Sequence, residues 1–194
     1  MPRGLRHATD AAVTGLLSRL GTAAQRVGPI VLLLCLTCLN VLWAFRDSKL
    51  RDFGSFVASG RAVVANRDPY SADEPLVYYV HFDSLGLRSY SPNLNPPISL
   101  PLFSVLASVD PSVALNVWRV VSTVFYGISL GLIACYTRRR ITARLVLWAV
   151  SLAGLWHTIE LGQVYTVLLL LATVAWLLLG KRQLIGAGIL IGCV

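Results

Sequence analysis

Long apolar segments alternate with short polar ones along most of this chain. Residues 28–45 form an apolar run without charged residues, close to the roughly 20 residues that a membrane-spanning helix needs. Residues 113–136 and 164–179 form two further runs, and 184–194 begins another. The pattern predicts an all-α, polytopic transmembrane protein. Because 184–194 is about half of a span, we expect the chain to be the N-terminal half of a longer protein.

The longest polar stretch, residues 46–97, is predicted to form a large loop after the first span. Apolar residues recur in it at helical spacing and predict a short juxtamembrane helix on the bilayer surface: Phe53, Phe56, Val57, Val63 and Val64. The apolar run at 98–109 is too short to cross and is predicted to be re-entrant or interfacial. Asp110-Pro111 then signals the start of the next span.

Polar side chains interrupt the later apolar sequence at two places. Residues 145–155 begin a helix, and the interruption that follows contains His157, Glu160, Gly162 and Gln163. Arg119 lies one to two turns into the second span, where we expect it to reach an end of the helix or face a polar cavity.

The distribution of charge predicts the orientation of the protein in the membrane. Only 13% of residues are charged and the mean hydropathy is +0.68, against roughly 25% charged residues in soluble domains. The net charge of +8 comes from short clusters between apolar runs, which argues against a nucleic-acid partner and follows the positive-inside rule. The clusters are Arg138, Arg139, Arg140 and Arg144, and Lys181 with Arg182.

This pattern predicts a multi-pass plasma-membrane protein with two regions, a cytoplasmic basic tail at 1–27 and a membrane domain at 28–194. Loop 46–97 and the His157–Gln163 region then share the extracytoplasmic face. An alternative stays open, because a crossing by 98–109 would place the N-terminus outside and the loop in the cytoplasm.

Two cysteines in the first span form a C-x-x-C pair, Cys35 and Cys38. Such a pair has redox or metal chemistry in some proteins. No matching pair or histidine cluster accompanies it, and a thiol in lipid behaves as a small hydrophobe. We therefore predict neither a metal site nor a cofactor.

Asp52 is the leading candidate for chemistry. As a general base it would take a proton from a hydroxyl nucleophile, while Arg51, Arg88 or Lys49 neutralised a phosphate at headgroup level. Its position before an amphipathic run also suits a helix N-cap. Similarly, Asp68-Pro69-Tyr70 reads as a turn.

His157 and Glu160, spaced i, i+3, read as an ion pair at a helix end, and no third ligand for a metal accompanies them. No Gly-rich phosphate loop or Ser-His-Asp set is present. A non-catalytic membrane subunit or transporter fragment is therefore the alternative to an enzyme.

Several short motifs, in order, resemble glycosyltransferase family 87, within the GT-C superfamily of polyprenol-phosphate-sugar enzymes. An Asp follows the first membrane helix (Asp52-Phe53), and a glycine and Asp-Pro-Tyr come after a short helix (Gly60; Asp68-Pro69-Tyr70). Further along the chain are Asn95-Pro96-Pro97, the segment Ala114-Leu115-Asn116-Val117-Trp118, and Gly162-Gln163.

The resemblance implies an inverting transfer of a sugar, mannose in this family, from a polyprenyl-phosphate donor to a glycolipid or lipoglycan acceptor at the membrane. Asp52 corresponds to the catalytic carboxylate, and no metal is implied. The substrate-binding residues expected around it are Arg51, Asp68, Tyr70, Arg88, His157 and Gln163.

Overall fold

The computed structural model describes residues 25, 27–46, 50–70, 78–82, 87–91 and 97–193. The first helix, α1, is Val27–Arg46, and seven more follow: α2 (Arg51–Val64), α3 (Leu100–Leu106), α4 (Pro111–Tyr136), α5 (Ala143–Val150), α6 (Ala153–Leu161), α7 (Tyr165–Gly180) and α8 (Leu184–Gly192). A short 3-10 turn, Pro97–Ser99, leads into α3. The described part of the chain is thus a helical membrane protein, as predicted.

Helices α1 and α4 are long and apolar enough to cross a bilayer, with mean hydropathies of 2.2 and 1.6. The start of α4 is well defined because the Asp110 carboxylate accepts hydrogen bonds from the backbone N–H groups of Ser112 and Val113, and Pro111 occupies the first turn. The helix-start signal read from the sequence is confirmed.

The prediction that 98–109 does not cross the bilayer agrees with the position of α3. This helix has only 7 residues and packs along α2. The approach is close: a β-carbon on Gly60 of α2 would lie 2.4 Å from the Phe103 carbonyl oxygen. Glycine therefore lets the two helix backbones touch.

Four aromatic side chains join α2, α3 and the start of α4 into one buried cluster: Phe53, Phe56, Phe103 and Trp118. The ring centroids of Phe56 and Phe103 are 4.4 Å apart, and those of Phe103 and Trp118 are 5.0 Å apart. Each such pair contributes about 0.5–1.5 kcal/mol beyond area burial. The cluster seats α2 against the beginning of α4, so the chain leaves α1 and enters α4 at the same end of the molecule.

Helices α4 and α7 run parallel. Trp118 of α4 donates to the Gln163 carbonyl just before α7. At the far ends, the Tyr136 and Trp176 ring centroids are 4.7 Å apart, and a β-carbon on Gly180 would meet the Tyr136 hydroxyl. The basic clusters after α4 and α7 therefore lie at the end opposite Asp52.

The return segment between α4 and α7 is a broken helix. Helix α5 ends at Val150 and α6 begins at Ala153, so the break falls within residues 145–155, which the sequence predicted as the start of one helix. His157 and Glu160 lie in α6 toward its end, in agreement with the predicted helix end.

The carbonyls exposed by this break are bonded by side chains from three helices. Tyr126 of α4 donates to the Ala149 carbonyl at 2.9 Å, Trp156 of α6 to the Val150 carbonyl at 2.6 Å, and Asn40 of α1 to the Ser151 carbonyl at 3.2 Å. Unpaired backbone groups are costly away from water. We refer to these three side chains as the carbonyl clamp.

The loop after α2 contains one element that the sequence reasoning did not foresee. Strands β1 (Tyr78–Phe82) and β2 (Leu87–Ser91) pair antiparallel, with His81 opposite Arg88. The tail at 1–27 is described only at residues 25 and 27, so the tail prediction lies almost wholly outside the described residues.

Candidate functional site

Asp52 is the second residue of α2 and its side chain is half-buried. The residue preceding the helix, Leu50, has helical backbone angles, and no side chain caps the helix there. The alternative in which Asp52 caps α2 is therefore wrong. The carboxylate instead turns toward the end of α6.

The Asp52 carboxylate accepts a hydrogen bond from the Gln163 side-chain amide, with 2.5 Å between Oδ2 and Nε2. The two residues are 111 positions apart in sequence. Of the residues proposed from the sequence, this pair is brought into direct contact. The contact leaves Asp52 Oδ1 without a bond to Gln163 and fixes the direction of the carboxyl plane.

Gly162 makes that contact possible for two reasons. It ends α6 in the left-handed region, with φ of +70°, which costs residues with a β-carbon about 1–2 kcal/mol. A β-carbon at this position would also lie 2.5 Å from Cβ of Phe53. The glycine thus lets the α6 terminus approach the first turn of α2, where Asp52 lies.

The backbone of Gln163 is held on two sides. Its N–H donates to the Thr158 carbonyl at 3.0 Å, which closes the end of α6. Its carbonyl accepts from the Trp118 indole at 3.4 Å, and the Trp118 ring stacks on Phe53 with 6.3 Å between centroids. The same aromatic cluster therefore positions both partners of the Asp52–Gln163 pair.

Glu160 is the buried acid of the site, with 3% of its surface exposed. Its Oε2 accepts from the Trp43 indole N–H at 2.9 Å and lies 3.3 Å from His157 Nδ1. The predicted pairing of His157 with Glu160 is confirmed, and Trp43 joins it. No signal in the sequence indicated this contact, because nothing near Trp43 pointed to a partner 117 residues away.

Arg119 is buried, with 3% exposure, so it does not reach out to an end of its helix. Its Nη1 donates to Asn116 Oδ1 at 3.4 Å, and its guanidinium carbon lies 5.2 Å from the centroid of the Phe45 ring. Such a cation over an aromatic face is attracted by the ring quadrupole. The cation places a positive charge between α1 and α4.

Asp68 and Tyr70 lie away from Asp52. The predicted turn is present, because Asp68 Oδ1 accepts from the Tyr70 backbone N–H at 2.9 Å. The turn folds back onto the middle of α2, where the Ser59 hydroxyl donates to the Pro69 carbonyl at 3.5 Å. Ser59 lies seven residues beyond Asp52, which is about 10 Å along the helix at 1.5 Å per residue.

The other cations proposed near Asp52 fall partly or wholly outside the described residues. The backbones of Arg51 and Arg88 are placed in α2 and β2, but their side chains are not described, and Lys49 lies outside the described residues altogether. Within the described part of the chain, no group of three His, Cys, Asp or Glu side chains is placed to hold a metal ion. The four cysteines are unpaired thiols.

Comparison with known proteins connects this site to a family. The model of glycosyltransferase family 87 matches residues 93–194. The matched range includes Trp118, His157, Glu160 and Gln163, whereas Asp52 precedes it. Neither a curated protein nor a solved structure matches the chain.

Proposed function

Because the chain belongs to glycosyltransferase family 87, we propose that Asp52 is the general base of an inverting sugar transfer at the membrane surface. The observation that carries this proposal is the Asp52–Gln163 hydrogen bond. It joins an acid outside the matched range to a residue inside it, and it orients a carboxylate at the mouth of a helical membrane domain. A candidate base needs that kind of fixed position before its protonation state matters.

The reaction is a single displacement. Asp52 takes the proton of an acceptor hydroxyl, and the hydroxyl oxygen forms a bond to the anomeric carbon of the donor sugar. The bond from that carbon to the phosphate oxygen breaks at the same time, and the phosphate leaves with the electron pair. A phosphate is a stable anion, so the departure requires no second acid.

The proposed donor is a polyprenyl-phosphate sugar, with mannose as the first candidate, and the acceptor is a glycolipid or lipoglycan. Both substrates are amphiphiles, and a site at one end of membrane-spanning helices meets them where their headgroups lie. Gln163 orients the base, while His157 contacts a substrate hydroxyl. Arg51, Arg88, Asp68 and Tyr70 remain candidate substrate contacts.

The proposed site faces the extracytoplasmic side of the plasma membrane, and the protein crosses the membrane several times. Support comes from the charge distribution, because the clusters at 138–144 and 181–182 lie at the end opposite Asp52. Cysteines introduced at Ser108 and Arg140, both exposed, test this in a background without native cysteines. Ser108→Cys is expected to react with an impermeant reagent in intact cells, and Arg140→Cys only after permeabilisation; the reverse result overturns the orientation.

Transfer itself is tested in membranes that contain the protein, with radiolabelled polyprenyl-phosphate mannose. Asp52→Asn is expected to reduce the rate by about 10²–10⁴, the usual contribution of a general base. Asp110→Asn is the matched control, because that carboxylate is exposed and caps α4, and it is expected to retain activity. Equal rates for wild type and Asp52→Asn exclude the base role. Wild-type transfer only from a glucose or arabinose donor contradicts mannose.

A further inference from the structure

A cavity lies between α1 and α6, and neither Asp52 nor Gln163 lines it. Its volume is about 400 Å³, and its lining is Asn40, Trp43, Ala153, Gly154, Trp156 and His157. Small-molecule sites commonly occupy about 300–1,000 Å³ and combine aromatic walls with a few placed polar groups. Two indoles, an amide and an imidazole meet that description.

The buried carboxylate of Glu160 fixes two of the side chains that line the cavity. Glu160 Oε2 bonds to Trp43 Nε1 and to His157 Nδ1, at 2.9 and 3.3 Å. A carboxylate that is 3% exposed is costly to bury unless it is bonded. Here its bonds go to two side chains that line the cavity. Side chains fixed in this way lose less conformational entropy when a ligand binds.

The lining retains capacity for hydrogen bonds. His157 bonds through Nδ1 and its side chain is 65% exposed, so Nε2 is available to a ligand. Asn40 uses its amide nitrogen toward the Ser151 carbonyl, which leaves Oδ1 as an acceptor. Trp43 is 54% exposed and presents an aromatic surface. Among the described residues that line the cavity, none is Lys, Arg, Asp or Glu.

An uncharged ligand with several hydroxyls and an apolar ring face suits this lining better than an anion does. We propose that the cavity is a subsite for the sugar headgroup of an amphiphile, with hydroxyls bonded to His157 and Asn40 and the sugar ring against Trp43. The inference rests on the proposed function, since it assigns a position to one of the two sugars of that reaction. Glu160 acts as a positioning residue for Trp43 and His157.

The test measures occupancy rather than turnover, so it remains informative even if sugar transfer from polyprenyl phosphate is disproved. In a background without native cysteines, Ala153→Cys places a thiol in the cavity. Octyl mannoside, below the concentration at which it forms micelles, is expected to slow labelling of this thiol at least fivefold. Leu152→Cys is the matched control, because Ala153 lines both this cavity and a neighbouring one, whereas Leu152 is exposed and lines the neighbouring cavity but not this one; its labelling is expected to be unchanged.

Two further variants connect the protection to the proposed contacts. His157→Ala is expected to abolish protection of the Ala153→Cys thiol, while Glu160 keeps its bond to Trp43. Trp43→Phe keeps an aromatic ring but removes the bond to Glu160, and it is expected to weaken protection. The proposal is overturned if the Leu152→Cys thiol is protected equally, if His157→Ala retains full protection, or if octyl phosphate protects as well as octyl mannoside. The last result would assign the site to a phosphate beside Arg46, whose guanidinium lies 4.7 Å from the Trp43 ring centroid.

Discussion

The Gln163 amide donates to the Asp52 carboxylate although 111 residues separate them in sequence. This bond joins the first turn of α2 to the terminus of α6, and the Phe53–Trp118 stack and Gly162 support it from either side. The proposed base is therefore oriented by a residue in the turn between α6 and α7, and substitution of that residue can be measured separately from substitution of the base.

Removal of the Gln163 amide is expected to impair the chemical step rather than substrate binding. Gln163→Leu should lower kcat by about 10- to 100-fold with little change in KM, since a slightly misplaced base loses rate more than affinity. The measurement is steady-state transfer in reconstituted membranes. Gln183→Leu, an exposed glutamine at the opposite end of α7, is the control. A change in KM alone would assign Gln163 to substrate binding instead.

Substitution of Gly162 is expected to destabilise the protein and to break the hydrogen bond between Asp52 and Gln163. In Gly162→Ala the new methyl meets Phe53 and the backbone keeps a positive φ, at a combined cost of about 2–4 kcal/mol. Thermal unfolding in detergent measures the loss. Gly127→Ala is the control, because a β-carbon there meets nothing within 4 Å. Equal melting temperatures for the two variants would contradict the close approach of α6 to α2.

The carbonyl clamp is expected to hold the break between α5 and α6 in place. Tyr126→Phe removes only the hydroxyl that bonds to the Ala149 carbonyl near the end of α5 and should cost about 0.5–2 kcal/mol. Amide hydrogen exchange at the end of α5 in detergent should increase as its attachment weakens. Tyr136→Phe, at the far end of α4, controls for the loss of a hydroxyl. Unchanged exchange in Tyr126→Phe would show that the clamp does not restrain the helix.

The lowered pKa of Asp110 predicts that the stability of the protein depends on pH. Hydrogen bonds from the Ser112 side chain and backbone hold the pKa of Asp110 below its usual value of 3.8. The stabilisation is thus complete above that value and is lost as pH falls through the lowered pKa. Below about pH 4, the melting temperature of the wild type should fall further than that of Asp110→Asn, since the amide does not titrate. Parallel curves for the two proteins would exclude this contribution.

Much of the helical architecture follows from local pattern. Apolar run length predicted α1, α4 and α7, the Asp110-Pro111 signal predicted the start of α4, and amphipathic spacing predicted α2. The short run at 98–109 was predicted not to cross, and its α-helix has only 7 residues. These features depend on residues near one another in sequence, so hydropathy and capping chemistry are sufficient.

Contacts between residues that are distant in sequence could be identified only from the tertiary structure. The sequence proposed Asp52 and Gln163 separately, and it predicted one helix over residues 145–155, which the structure breaks at Ser151 and Leu152. The break depends on donors from three helices, and the Trp43–Glu160 bond joins α1 to α6. Apolar periodicity specifies which segments are helical but not which faces meet. The sequence alone therefore determined a helical membrane protein with an acidic residue after its first span, and only packing decided what that acid contacts.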